Sequence, residues 1–186
     1  MRLKYETDPS ADLVEAASPV CYARGAKDTY MGCLDREALI DALNELLEAE
    51  RAGAQVGARL VTDTNDPELK ALGHVIRADE VRWCSMLMAA IKALDAEPSP
   101  VIGAFYEKTM AIADVEARIA FVNRGQGWVV RKLGALLPQV RDDGLHIQLR
   151  EMLVAHENNI ESAQATLDRR AQTDQRQASQ QNRDAT

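Results

Sequence analysis

Between Asp35 and Arg169, apolar side chains recur at steps of three and four in four separate runs, each bounded by turn-forming residues. That period belongs to helices that bury one face. The first run, 35–61, carries Leu39, Leu43, Leu46, Glu50, Gly53, Gly57 and Leu60 on its stripe. Thr62–Asp66 breaks it, and Pro67 suits the first turn of the next helix. The second, 67–95, carries Leu69, Leu72, Ile76, Glu80, Trp83, Leu87, Ala90 and Leu94, and the Glu-Pro-Ser-Pro stretch at 97–100 ends it. The third, 112–137, carries Ile112, Val115, Ile119, Val122, Gln126, Val129, Leu133 and Leu136, with Pro138 as its stop. The fourth, 142–169, carries Leu145, Leu149, Met152, His156, Ile160, Ala163 and Leu167.

Four such stripes predict an all-α fold, an antiparallel four-helix bundle over residues 35–169. The connection 96–111 is too long for a tight turn, so one long crossover is expected between the second and third helices, with room for a short helix of its own. Residues 1–34 are interrupted by Pro9, Pro19, Gly25 and Gly32. They read as an arm packing on the bundle through Tyr22, Tyr30 and Met31, with space for a short helix at 10–17. Residues 170–186 have no apolar stripe and read as a polar, disordered tail.

With 46% hydrophobic residues in 186, the chain is long enough for one sizeable core. The formal charge of −7, with basic residues interleaved among acids, excludes the dominant basic face of a nucleic-acid partner. No apolar run reaches the ~18 residues of a membrane span, and the N-terminus lacks the apolar centre of a signal peptide. A cytoplasmic protein of bacterial type is expected. Cys21, Cys33 and Cys84 have neither paired spacing nor histidine partners, and read as free thiols.

Each stripe is broken near its middle by one polar residue: Glu50, Glu80, Gln126 and His156. Glu50 and Glu80 each lie 15 residues from Asn65 in the first turn, and Gln126 and His156 each lie 15 from Arg141 in the second. Residues equidistant from a hairpin turn sit at one height, here roughly 22 Å from each turn. Two carboxylates buried together need a cation, a shared proton or an arginine. A neutral imidazole at His156 can complete a metal site. Gly125 and Gly127 flank Gln126 and mark close packing or a local distortion of that helix.

The stretches LLEAERAGA, RADEVRWC, FVNRGQGWVVRKL and MLVAHENNI, with these four residues, resemble the ferritin-like superfamily of ferritins, bacterioferritins and rubrerythrins, and an uncharacterised bacterial branch in particular. The resemblance covers about 36–169. It implies metal ligands at Glu50, for the first-helix glutamate, at Glu80 and at His156. The histidine partner of Glu80 is replaced by Trp83, the third-helix glutamate by Gln126, and the glutamate partner of His156 by Leu153. The six-ligand di-iron set is therefore incomplete. What remains fits one ion, iron or manganese before zinc, with oxidative or O2-handling chemistry implied by the resemblance. Asp79 and Glu157 are reserve ligands that a small helix rotation would bring inward.

Three readings compete. The first is that metalloprotein. The second is a metal-free ferritin-like scaffold, an interaction or regulatory module whose polar centre is neutralised by Arg124 or Arg131 and fixes helix register. The arm, the tail or a homodimer face would then meet partners. The third is a pocket for a small organic ligand beside Trp83 and Gln126. No nucleophile–base arrangement or phosphate loop supports a hydrolase, kinase or dehydrogenase. Whether the chain is an enzyme stays open at this level.

Overall fold

The computed structural model describes residues 32–184. The expected arm contacts of Tyr22, Tyr30 and Met31, the short helix at 10–17 and the state of Cys21 lie outside them. Among the described residues the protein is all-helical. Its elements are α1 (Arg36–Asp63), α2 (Pro67–Ala93), a short α3 (Phe105–Met110), α4 (Val115–Leu136), a 3-10 turn (Leu137–Gln139) and α5 (Asp143–Asp184).

Each long helix starts where side-chain chemistry satisfies its free amides. Asp35 accepts from Ala38 N at the head of α1, Asp66 from Glu68 N and Leu69 N ahead of Pro67, and Asp114 from Ala117 N at the head of α4. Asp114→Ala is expected to remove about 1 kcal/mol, which calorimetry would read as a melting point lower by about 2–4 °C.

Helix α1 packs most extensively on α2 across the three-residue turn 64–66, and α4 packs on α5; the two pairs meet through α1 with α4 and α2 with α5. The connection from α2 to α4 is fastened along α1. Arg36 donates to the carbonyls of Leu94 and Asp95, Ser99 N to Asn44 Oδ1, Ser99 Oγ to Glu48 and Gly103 N to the Glu48 carbonyl. At the far end of α1, Arg118 pairs with Asp63 at 2.6 Å. Nothing in this segment has the length or apolarity to cross a membrane, and the same holds for every helix among the described residues.

The apolar interior divides into two clusters. One gathers Leu43, Leu46, Leu47, Trp83, Leu87, Leu133, Leu149 and Met152. The other gathers Val56, Leu60, Leu72, Ile76, Ile119, Val122 and Ala163. Along α1, α2, α4 and α5, the positions between the two clusters are those of Glu50, Glu80, Gln126 and His156.

Helix α5 departs from expectation at both its face and its end. Its buried line beyond His156 runs through Asn159, Ala163 and Thr166 rather than Ile160 and Leu167, continuing the three–four alternation of Leu149, Met152 and His156. The segment expected as a disordered tail instead continues α5 to Asp184. It contains no Gly or Pro and is rich in Ala, Gln and Arg, which propagate a helix already nucleated by packing. Arg170 anchors its base, donating to Glu116 Oε1 and Asp66 Oδ2, each at 2.6 Å.

Candidate metal centre

The four long helices each send one polar side chain to the level between the apolar clusters. Glu50, Glu80, Gln126 and His156 are 0, 4, 4 and 1% exposed. Ligand atoms of Glu50, Glu80 and His156 lie within 4.8 Å of one another, and Gln126 lines the same cavity as both glutamates. The helix register thus brings together the residues singled out from the stripes.

Local packing makes room for them. A Cβ on Gly53, one turn beyond Glu50, would sit 2.7 Å from Glu80 Cδ and under 3.0 Å from both its carboxyl oxygens. Only glycine at this position lets the Glu80 carboxyl lie against the α1 backbone. Gly57 instead sets the close approach of α1 and α2, because a Cβ there would lie 2.8 Å from Arg77 N.

His156 Nδ1 lies 2.9 Å from the Met152 carbonyl, which can only accept. Nδ1 therefore carries the proton, and Nε2 is the atom turned toward Glu50 Oε1, 3.3 Å away. No hydrogen bond reaches Nε2, either oxygen of Glu50, or Gln126 Oε1. Among the described residues no arginine pairs with Glu50, Glu80 or His156. The Arg124 guanidinium stacks 5.0 Å over the Phe121 ring, and Arg51 reaches Met88 Sδ.

Burial drives the Glu50 carboxyl up from 4.5 to about 7, countered in part by Glu80 and reinforced by the charge of Asp79. Burial, followed by the charge and close approach of the Glu50 carboxyl, raises Glu80 well above the usual carboxylate range. Burial and these two acids push the nearby Cys84 thiol up to about 12, so it remains protonated and unreactive. Cys33 and Cys84 are free.

The reserve ligands stay apart: Asp79 accepts from Asn159 Nδ2 at 2.8 Å, and Glu157 is exposed. His74 is exposed, and neither it nor His146 joins the cluster. Trp83 turns into the core, and the tryptophan lining the cavity is Trp128. Of the flanking glycines only Gly125 marks close packing, since a Cβ there would meet the Phe105 ring at 2.5 Å while one on Gly127 would meet only Arg131 Nη1 at 3.6 Å, and α4 is continuous through both. What the stripes did not reveal was the cavity itself, about 450 Å³ with Phe105, Phe121, Val122 and Trp128 among its walls. Gly125 facing an aromatic connection was its one signal in the sequence.

Fold and site together define an all-helical protein with a buried carboxylate–histidine cluster reached by a cavity. The chain belongs to the family described as a domain of unknown function (DUF6306), whose model matches residues 37–165. That span covers all four cluster residues. No curated protein and no solved structure matches the chain.

Proposed function

We propose that this chain is a divergent ferritin-like metalloprotein. In this reading α1, α2, α4 and α5 form an antiparallel four-helix bundle, and the connection 94–114 is its one long crossover along α1. Glu50, Glu80 and His156 hold one metal ion, iron or manganese in preference to zinc, with Gln126 as an additional neutral oxygen donor. Oxidative or O2-handling chemistry is the activity class that follows. When bound, the ion supplies a redox-active centre with open positions.

One observation carries the reading: both oxygens of Glu50, Gln126 Oε1 and His156 Nε2 are buried without a hydrogen-bond partner among the described residues, and Glu50, Glu80 and His156 each bring a ligand atom within 4.8 Å of the others. Buried polar atoms are almost always hydrogen-bonded, and a cation satisfies several lone pairs at once. Ligands about 2.1 Å from one ion lie up to about 4.2 Å apart, close to the 4.8 Å within which the ligand atoms of Glu50, Glu80 and His156 already lie. The Nδ1–H bond to Met152 holds the imidazole in the tautomer a metal needs.

A second reading is favoured by the same burial. Two carboxyls that burial keeps protonated stay neutral without an ion, and the protein is then a metal-free scaffold acting as an interaction or regulatory module.

Elemental analysis decides between them. Protein loaded in turn with Fe(II), Mn(II) and Zn(II) and then desalted is expected to retain about one ion per chain. The Glu50→Ala/His156→Ala variant is expected to retain less than a tenth of that. Retention of no metal by the native chain selects the scaffold.

A further inference from the structure

The cavity beside the carboxylate–histidine cluster has an uneven distribution of chemistry from mouth to floor. Its floor is formed by Glu50, Glu80 and Gln126, and its middle is hydrocarbon and aromatic. The Phe105 and Phe121 rings stack with centroids 5.1 Å apart. Four charged side chains also line it: Glu45, Glu48, Lys108 and Arg124. The two acids are engaged, Glu45 by Lys132 and Glu48 by Ser99 Oγ. The two cations, both exposed, pair with no carboxylate among the described residues, and Arg124 only rests on a ring face.

We infer that the cavity binds a small amphiphilic monocarboxylate, an alkyl or aryl body with one acid head. The head lies outward on Lys108 and Arg124, the body against Phe105, Phe121 and Trp128, and the far end stops at Gln126. The orientation follows from charge. At the mouth an anion meets Lys108 and Arg124, whereas the floor side chains Glu50, Glu80 and Gln126 offer it no cation. About 450 Å³ is within the range of small-molecule sites, and mostly apolar walls with a few polar groups at the ends are their usual construction. Gln126, whose Oε1 is buried and without a hydrogen bond, lines the inner end of the cavity. The inference deepens the proposed function, on which it rests for calling the floor a reactive centre; the binding itself needs no ion.

Isothermal calorimetry with decanoate, decylamine and decanol tests it, on chelator-treated and on metal-loaded protein. Decanoate is expected to bind saturably at one site per chain, at least tenfold more tightly than decanol, with decylamine weakest. Loss of a single charge-assisted hydrogen bond is worth about tenfold. The exposed-site variant Lys108→Glu/Arg124→Glu is expected to lose at least that factor for decanoate while decanol is unchanged. Ala49→Phe, which narrows the cavity, is expected to abolish binding of both. Equal binding of the three probes, or no saturable decanoate binding to the native chain, overturns the inference. Decanoate bound to a chain that retains no metal leaves it standing and removes the metal reading. Metal retained without decanoate binding does the reverse.

Discussion

Without a bound metal ion, the protein is expected to become less stable as pH rises from about 4.5 to 7, the opposite of most acidic proteins over that range. Glu50 and Glu80 are held in their neutral forms by burial, with folded-state values raised above the ordinary 4.5. In the unfolded chain both acids lose their protons as pH passes 4.5, while in the folded chain they keep them to higher pH. Across that window the native state binds more protons, so stability is full below 4.5 and falls as pH climbs through the folded values. For Glu50 alone, the rise to about 7 corresponds to about 3 kcal/mol, a melting-point loss of about 6–12 °C. Asp63, lowered by its bond to Arg118, and Asp66, lowered by its bond to Arg170, have the opposite sign. Their contributions are lost only below the ordinary aspartate range, outside this window. In the proposed metalloprotein, bound metal is expected to reverse the slope, since its ligands must be deprotonated and affinity grows with pH. Calorimetry at pH 5 and 7.5, with chelator and with Mn(II), reads both slopes. A metal-free melting point that holds steady or climbs with pH would contradict the burial argument.

The second large effect separates two glycines four residues apart. Gly53→Ala is expected to cut metal retention at least tenfold while leaving the metal-free melting point unchanged or slightly raised. The new methyl meets only the far end of the flexible Glu80 side chain, which moves aside and leaves the cluster. The helix meanwhile gains about 0.5–1 kcal/mol from losing a glycine in its interior. Gly57→Ala meets the Arg77 backbone instead, which cannot step aside, so overpacking of about 1–3 kcal/mol outweighs that gain. Gly57→Ala should therefore lower the melting point first. If Gly53→Ala were to bind metal normally, Glu80 would not be a ligand.

Much of this architecture is legible in the sequence because helical period and punctuation agree. The turns at Thr62–Asp66, Pro98–Pro100 and Pro138 mark ends that the structure bears out to within a few residues. The cluster is legible for a geometric reason: hairpin residues equidistant from a turn share a height, and the interruptions at Glu50, Glu80, Gln126 and His156 obey that rule. What stays hidden depends on side-chain volume rather than period. Gly53 reads as one more small residue on a stripe, and only the Glu80 carboxyl lying against it gives it meaning. Trp83 lies on its stripe and fills the core, whereas Trp128 lies one position off its stripe and walls a cavity that no apolar period records. The helical continuation past Arg169 is hidden too, since an apolar stripe reports packing and not helicity.

That continuation has a consequence of its own. Residues 171–183 are exposed on every side, so about 20 Å of single helix projects from the end braced by Arg170, Asp66 and Glu116. A solvated helix of this length is marginal by itself and persists here because the body supplies its first turns. It should fray from the tip inward as a protein solution warms, giving a sloping decline in far-ultraviolet dichroism well before the body melts. The molecule thus carries a built-in thermometer at one end, whose reading is independent of what happens at its centre.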